Sequence, residues 1–305
     1  MSTQSSIVAV IEPDTHPQEV AERAAWLALL YDLPIDLLLC DADIGPLHTG
    51  WFLSDSAESI ADLVASAQKE VIEEIADNIR ELNVAVTTTV LEERPIVDAI
   101  MHDIDARNPK VLVKGTQHHS DADRALFAAT DWQLVRRCPC PLYLVKPQAM
   151  PENPIVVAAV DPGHAHDKPA ELDNVIVEHA RDIATRTTGE LHLFHSYQRL
   201  LGVGSEATRT FKPLELPIKD IDERMKQEHR AKLNALAAKF NIGNDNVHQL
   251  PGKTQVLLPQ FVRAKKAGLV VMGALARWGL KRAVIGSTAE RVLDKLLCDV
   301  LIVRR

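Results

Sequence analysis

Aromatic residues are scarce in this 305-residue chain, where Phe, Trp and Tyr together make up 4%. Any core therefore rests on Val, Ile, Leu and Ala. Cysteine is scarcer still. Cys40, Cys138, Cys140 and Cys298 are too few and too scattered for a disulfide framework, so reduced cytoplasmic thiols are expected. No apolar run approaches the roughly 18–20 residues that a membrane-spanning helix needs. Met1 to Ser6 hold no basic residue ahead of the short apolar Ile7–Ile11, so no secretory leader is expected. Also missing are a Gly-x-Ser-x-Gly elbow, a Walker-type Gly-Lys-Ser/Thr and a complete Gly-x-Gly-x-x-Gly. A hydrolase, a P-loop NTPase and a dinucleotide dehydrogenase each lose their main signature.

What is present is ordinary globular composition, 46% apolar and 25% charged, over a length comfortable for two domains. The net charge of −8 argues against non-specific nucleic-acid binding and against docking on an anionic membrane. That average hides an asymmetry: residues 1–148 hold 11 Lys+Arg against 24 Asp+Glu, and residues 149–305 hold 23 against 18. If one half meets an anionic ligand, the second is better placed; equally, opposite surface charges help two halves sit together.

The clearest boundary is Pro147-Gln148-Ala149-Met150-Pro151-Glu152-Asn153-Pro154, whose prolines cannot continue a regular element. It divides the chain into domains 1–148 and 149–305, and the two repeat one another. Ile7-Val8-Ala9-Val10-Ile11-Glu12-Pro13 is answered by Ile155-Val156-Val157-Ala158-Ala159-Val160-Asp161-Pro162. Val111–Gly115 is answered by Leu269–Gly273, and Cys140–Val145 by Cys298–Val303, both at an offset of 158 residues. A period of a whole domain is a duplication, not a solenoid.

Each half alternates strand and helix. The first predicts strands at 6–12, 35–40, 84–91, 110–115 and 141–146, with helices at 17–31, 57–82, 95–106 and 130–137. In the long helix Ile60, Val64, Ala67, Val71, Ile75, Ile79 and Leu82 recur at three- and four-residue steps as one apolar stripe. The second half predicts strands near 155–161, 190–196, 246–250, 268–272 and 299–303. Continuous β-branched runs alternating with helices imply parallel sheets covered on both faces. The fold class is thus α/β, two doubly wound five-stranded parallel-sheet domains in tandem. In such folds ligands sit beyond the carboxyl ends of the strands, near the switch in strand order.

That directs attention to the stretch from Gly273 to Glu290. Small residues at Gly273 and Ala276 let backbone N–H groups approach a phosphate, and Arg277, Lys281 and Arg282 add positive charge beside Gly279. Gly286-Ser287-Thr288 opens the next helix, whose free N–H groups and positive dipole end favour an anion. Ser287-x-x-Glu290 is also a capping box, which starts a helix with no ligand at all. The chemistry of the segment alone leaves both readings standing.

Here the chain resembles the universal stress protein family, over nearly its whole length and as two fused copies, in the manner of the tandem E-type branch. Thr130-Asp131-Trp132 and Cys138-Pro139 are familiar from that branch. The ATP-binding members carry Gly, two residues, Gly, nine residues, Gly-Ser/Thr; this chain has Gly273, two residues, Ala276, nine residues, Gly286-Ser287. The acid that contacts the nucleoside in family members is matched by Asp161. The resemblance implies ATP, with its magnesium, in the C-terminal domain, held by Asp161, Gly273, Ala276, Arg277, Gly279, Gly286, Ser287 and Thr288. It also implies domain pairing through the final strands, a homodimer, and a regulatory role in stress resistance. The first half departs from the pattern. His118 stands at the place of Ala276, Ala128-Ala129 replace Gly286-Ser287, and Asp121, Asp123 and Asp131 make the loop acidic, so no ATP is expected there.

Two alternatives compete with a nucleotide-gated binding protein. A slow ATPase ranks lower, because no general base can be named. A carrier of an apolar small ligand would use the long segments 41–56 and 197–218, with Leu47, Trp51, Phe52 and Leu53 or Leu200, Leu201, Phe211, Leu214 and Leu216. Those side chains equally tuck onto the core or a partner subunit. His118-His119-Ser120-Asp121-x-Asp123 and His164-Ala165-His166-Asp167 lack the spacing of a closed zinc site, and no metal site is expected. Cys138-Pro139-Cys140 is not CxxC and reads as small buried apolar residues. His192 and His195, alternating with Leu191, Leu193 and Phe194, read as facing helices or solvent rather than as catalytic.

Overall fold

The computed structural model describes residues 5–13, 15–40, 55–91, 95–116, 128–163, 170–199, 218–274 and 291–304. The chain divides into two compact units, Met1–Met150 and Pro151–Arg305. In unit 1, strands β1 (Ile7–Ile11), β2 (Ile35–Leu39), β3 (Val86–Val90), β4 (Val111–Gly115) and β5 (Leu142–Val145) alternate with helices. These are α1 (Pro17–Tyr31), α2 (Asp55–Arg80), α3 (Ile96–Arg107) and α4 (Ala128–Arg137). The sheet order is β3-β2-β1-β4-β5, with every neighbour parallel.

Unit 2 repeats the plan. Its strands are β6 (Ile155–Ala159), β7 (Glu190–Tyr197), β8 (Val247–Pro251), β9 (Leu269–Gly273) and β10 (Asp299–Val303). Its helices include α5 (Ala170–Arg186), α6 (Ile218–Lys239) and α7 (Thr254–Lys265), and the order β8-β7-β6-β9-β10 is again parallel throughout. This is the expected doubly wound α/β sheet, twice over. Among the described residues no helix is long and apolar enough to cross a membrane.

The strands form where the sequence is a run of β-branched and leucine residues buried on both faces. All of β1 and all of β2 are buried. Asp36, the polar exception in β2, keeps its place because donors surround it: the Ser6 hydroxyl at 2.6 Å, the Thr87 hydroxyl, and the Arg107 guanidinium at 2.9 Å. A buried carboxylate so paired avoids most of the penalty of an isolated one. Helices stop on residues in the left-handed region: Asp32 after α1, Asn108 after α3 and Lys266 after α7, with φ of 54°, 48° and 53°.

The apolar face of α2 differs from the expected stripe. Among its described side chains Ile72, Ala76 and Ile79 are buried, whereas Val71 is 51% exposed and Leu82, past the helix end, 49%. With 3.6 residues per turn, a shift of one residue turns the face by roughly 100°, so a row through Val71 and Ile75 looks away from one through Ile72 and Ala76. The buried face runs 72, 76, 79 and shares only Ile79 with the expected stripe.

At the outer edge of each sheet an arginine from the long preceding helix reaches the first strand carbonyl that faces away from the neighbouring strand. Arg80 donates to the Val86 oxygen in unit 1 and Arg230 to the Val247 oxygen in unit 2, both at 3.2 Å. At the centre, β1 pairs with both β2 and β4, and β6 with both β7 and β9. The strand order therefore reverses beside β1 and β6, and their carboxyl ends open the crevice where such folds take ligands.

Candidate functional site

In unit 2 the crevice begins at Val160 and Asp161, just past β6. The Asp161 backbone N–H donates to Asp173 Oδ1 at 3.0 Å, which ties the end of the strand to α5. The Asp161 side chain points outward and is 48% exposed. His195 Nδ1 lies 3.8 Å from its Oδ1. His195 is buried, with Nδ1 3.1 Å from the Val160 carbonyl oxygen and Nε2 2.8 Å from His229 Nδ1 on α6. Burial pushes the pKa of His195 down, so it stays neutral beside Asp161 although Asp161 and Asp173 pull the other way. His229 lies against the turn at Gly163, where a Cβ would stand 2.6 Å from its Cε1. Only a residue without a side chain leaves His229 that place.

Gly273, at the end of β9, is also a packing position. A Cβ there would fall 2.7 Å from Leu172 Cδ2 and 3.2 Å from Ile176 Cδ1, both on α5. Of the other predicted site residues, Ala276, Arg277, Gly279, Gly286, Ser287 and Thr288 lie outside the described residues, as do Lys281 and Arg282. Helical backbone resumes at 291–293, leading to Leu296 and β10. The structure thus brings Asp161 and Gly273 to the same strand ends.

Unit 1 has a different occupant at the equivalent place. Lys114, on the buried strand β4, is 2% exposed. Its Nζ lies 2.6 Å from Glu12 Oε2 and 2.7 Å from Asp131 Oδ1. Glu12 is the counterpart of Asp161, and Asp131 belongs to the first turn of α4. Burial alone would lower the Lys114 pKa; the charges and hydrogen bonds of Asp131 and Glu12 outweigh it and hold the ammonium above the usual lysine range. Asp131, expected to repel an anion, is therefore neutralised internally. Glu12 is only 16% exposed and also accepts from the Thr15 hydroxyl at 3.2 Å. Gly115 admits the loop after β1, since a Cβ there would overlap the Thr15 carbonyl oxygen at 2.0 Å. At the 158-residue offset, unit 2 carries Met272 and Ala289 in place of Lys114 and Asp131.

Sequence reasoning passed over Lys114, although a single lysine inside Val-Leu-Val-Lys-Gly was a usable signal: a cation in a strand buried on both faces must find acids. His195 faces α6 and His192 faces Phe261 of α7, and both are buried rather than solvated. No disulfide joins the four cysteines, and the Cys138 and Cys140 sulfurs lie 3.5 Å apart. The contact with Cys138, then burial, push the Cys140 thiol well above the usual range, so it is no thiolate nucleophile. His118, Asp121, Asp123, His164 and His166 lie outside the described residues, as do all the apolar side chains named for the two long segments. The groove of about 710 Å³ in unit 2 is lined by Tyr197, Arg199, Asp222, Lys226, Arg230 and Gln249 among others, so charged side chains border it.

The model of the universal stress protein family matches residues 5–146 and again 156–304. Universal stress protein E of Photorhabdus laumondii is 26% identical over 313 residues, covering 100% of this chain and 96% of the relative. Universal stress protein E of Escherichia coli K12 is 26% identical over 308 residues, covering 100% and 95%. Among solved structures, a functionally unknown protein from Pseudomonas aeruginosa PAO1 superposes with a TM-score of 0.69 at 26% identity, covering 99% of this chain and 92% of that one. A universal stress protein from Archaeoglobus fulgidus, at 18% identity and a TM-score of 0.65, covers 98% of each and shares the fold.

Proposed function

Because the chain belongs to the universal stress protein family, we propose that it is a stress-response binding protein whose unit 2 holds ATP and whose unit 1 does not. One observation carries the reading: the acid beyond the first strand is committed in one unit and open in the other. Glu12 is salt-bridged to Lys114 at 2.6 Å, whereas Asp161 is 48% exposed beside a neutral histidine. An exposed carboxylate accepts hydrogen bonds from the hydroxyl or amino groups of a nucleoside. Gly273, Ala276, Arg277, Gly279, Gly286, Ser287 and Thr288 would hold the phosphates through main-chain N–H groups, the arginine and the helix start. The bound triphosphate would supply negative charge and stability to unit 2 by mass action, biasing what the protein binds next.

Titration of the full chain with ATP, followed by the unfolding transition of each unit, tests this. At a hundred times the dissociation constant unit 2 gains about 2.7 kcal/mol, and unit 1 gains nothing. Asp161→Asn weakens binding by about 1.5–3 kcal/mol, the value of a hydrogen bond to a charged group. Absence of saturable binding at millimolar ATP, or stabilisation of unit 1 instead, would overturn the assignment.

A further inference from the structure

Unit 2 holds two hydrogen-bonded histidine pairs, one on each face of its sheet; the nucleotide reading uses only His195, as the neutral neighbour of Asp161. Strand β7 alternates its side chains. His192 and Phe194 face α7, where Phe261 packs 5.2 Å from the Phe194 ring; His195 and Tyr197 face α6, where the His229 ring stacks on both. His192 also stacks on His248 of the edge strand β8, with ring centroids 5.1 Å apart. Each pair fastens β7 to a different element, one to α6 and the other to β8.

The hydrogen-bond partners dictate where the protons are. The Val160 carbonyl only accepts, so His195 Nδ1 carries the hydrogen, Nε2 offers its lone pair, and His229 Nδ1 donates across 2.8 Å. The Glu190 carboxylate, 3.2 Å from His192 Nε2, likewise leaves His192 Nδ1 as the acceptor for His248 Nε2 at 2.9 Å. Both contacts are complete with all four rings neutral. An added proton has to sit on the outer nitrogen of a pair, and a second one sets N–H against N–H and breaks the contact.

The surroundings are mixed. Asp161 and Asp173 face His195, Glu228 lies beside His229, and Glu190 faces His192. Lys265 from α7 and Arg230 from α6 face His248. Burial dominates for His195, and burial followed by His192, Lys265 and Arg230 pushes His248 down to about 4. In unit 1 the described histidines are surface residues: His16 has 40% of its side chain exposed, and His102 is exposed.

We propose that these pairs form an acid-operated release, in which protonation unfastens α6 and β8 from β7 while unit 1 stays folded. The sign follows from linkage. A base whose folded pKa lies below its unfolded value of 6.5 contributes stability that is present above 6.5 and is lost as the pH falls, for His248 toward about 4. The unit 1 triad of Lys114, Glu12 and Asp131 contains no histidine.

Hydrogen exchange of the full chain at pH 7.5 and 5.0, normalised to the unfolded-chain rate at each pH, reads the release directly. The expected result is a loss of protection of about tenfold or more in α6 and β8 on acidification, with β1, β4 and α1 unchanged. His229→Gln with His248→Gln keeps an amide donor in each contact but does not titrate, and is expected to flatten the response. Equal loss of protection in the two units, no loss in α6 and β8, or an undiminished response in the double variant each refutes the proposal. If the double variant does not fold, the wild-type profile alone decides. The outcome is independent of whether ATP binds.

Discussion

Replacing Lys114 by methionine removes the only cation that the described structure places between Glu12 and Asp131. The lysine is 2% exposed and its partners 16% and 17%, so this is a buried triad rather than a surface pair. Breaking a buried ion pair by deleting one member costs about 3–5 kcal/mol, because the remaining charges keep their desolvation penalty without compensation. For a unit of this size a kilocalorie corresponds to about 2–4 °C, so Lys114→Met lowers the unit 1 transition by roughly 6–20 °C. Adding Asp131→Ala recreates the Met272 and Ala289 arrangement of unit 2 and removes one of the two acids that lose the lysine, so it restores at least half of the loss. Urea unfolding followed by tryptophan fluorescence is a suitable assay, since Trp26, Trp51 and Trp132 fall in unit 1 and Trp278 in unit 2. The triad also fixes an alkaline limit. A lysine whose folded pKa is raised contributes stability that is complete below its ordinary value of 10.5 and is lost as the pH climbs past it. A Lys114→Met cost under about 1 kcal/mol, or a double variant less stable than the single, would refute the reasoning.

Two further outcomes follow from the packing. Gly115→Ala is more damaging than Gly273→Ala in thermal melts, by about 3 kcal/mol or more against about 1. The first Cβ meets the Thr15 backbone oxygen at 2.0 Å, the second the movable end of Leu172 at 2.7 Å. Lys266→Gly, at φ 53° past α7, stabilises unit 2 by about 0.5–1 kcal/mol, because glycine adopts that conformation without the Cβ clash; a loss of stability in denaturant titration would count against it.

Strands were legible because a parallel sheet buries both faces of each, leaving uninterrupted runs of Val, Ile and Leu. The expected 35–40 became Ile35–Leu39, and 110–115 became Val111–Gly115. The face of α2 was misread because an amphipathic helix shows several apolar rows at close spacing, and only the sheet selects Ile72 over Val71. The family resemblance singled out Asp161, and the structure places it just past β6 with 48% of its side chain exposed. The features that set the two units apart were hidden, because they join residues far apart in the chain. Glu12 and Lys114 are 102 residues apart, His195 and His229 34, and His192 and His248 56. No local pattern announces such pairings; only the strand order brings them together.

The arginines at the sheet rims bear on self-association. A rim strand with unmet carbonyls is a template on which a second molecule can lay down a strand of its own, the first step toward fibrils. At Val86 and Val247 that outermost acceptor is already taken by a guanidinium from the same chain. An incoming strand must displace a cation before it can bond at that position.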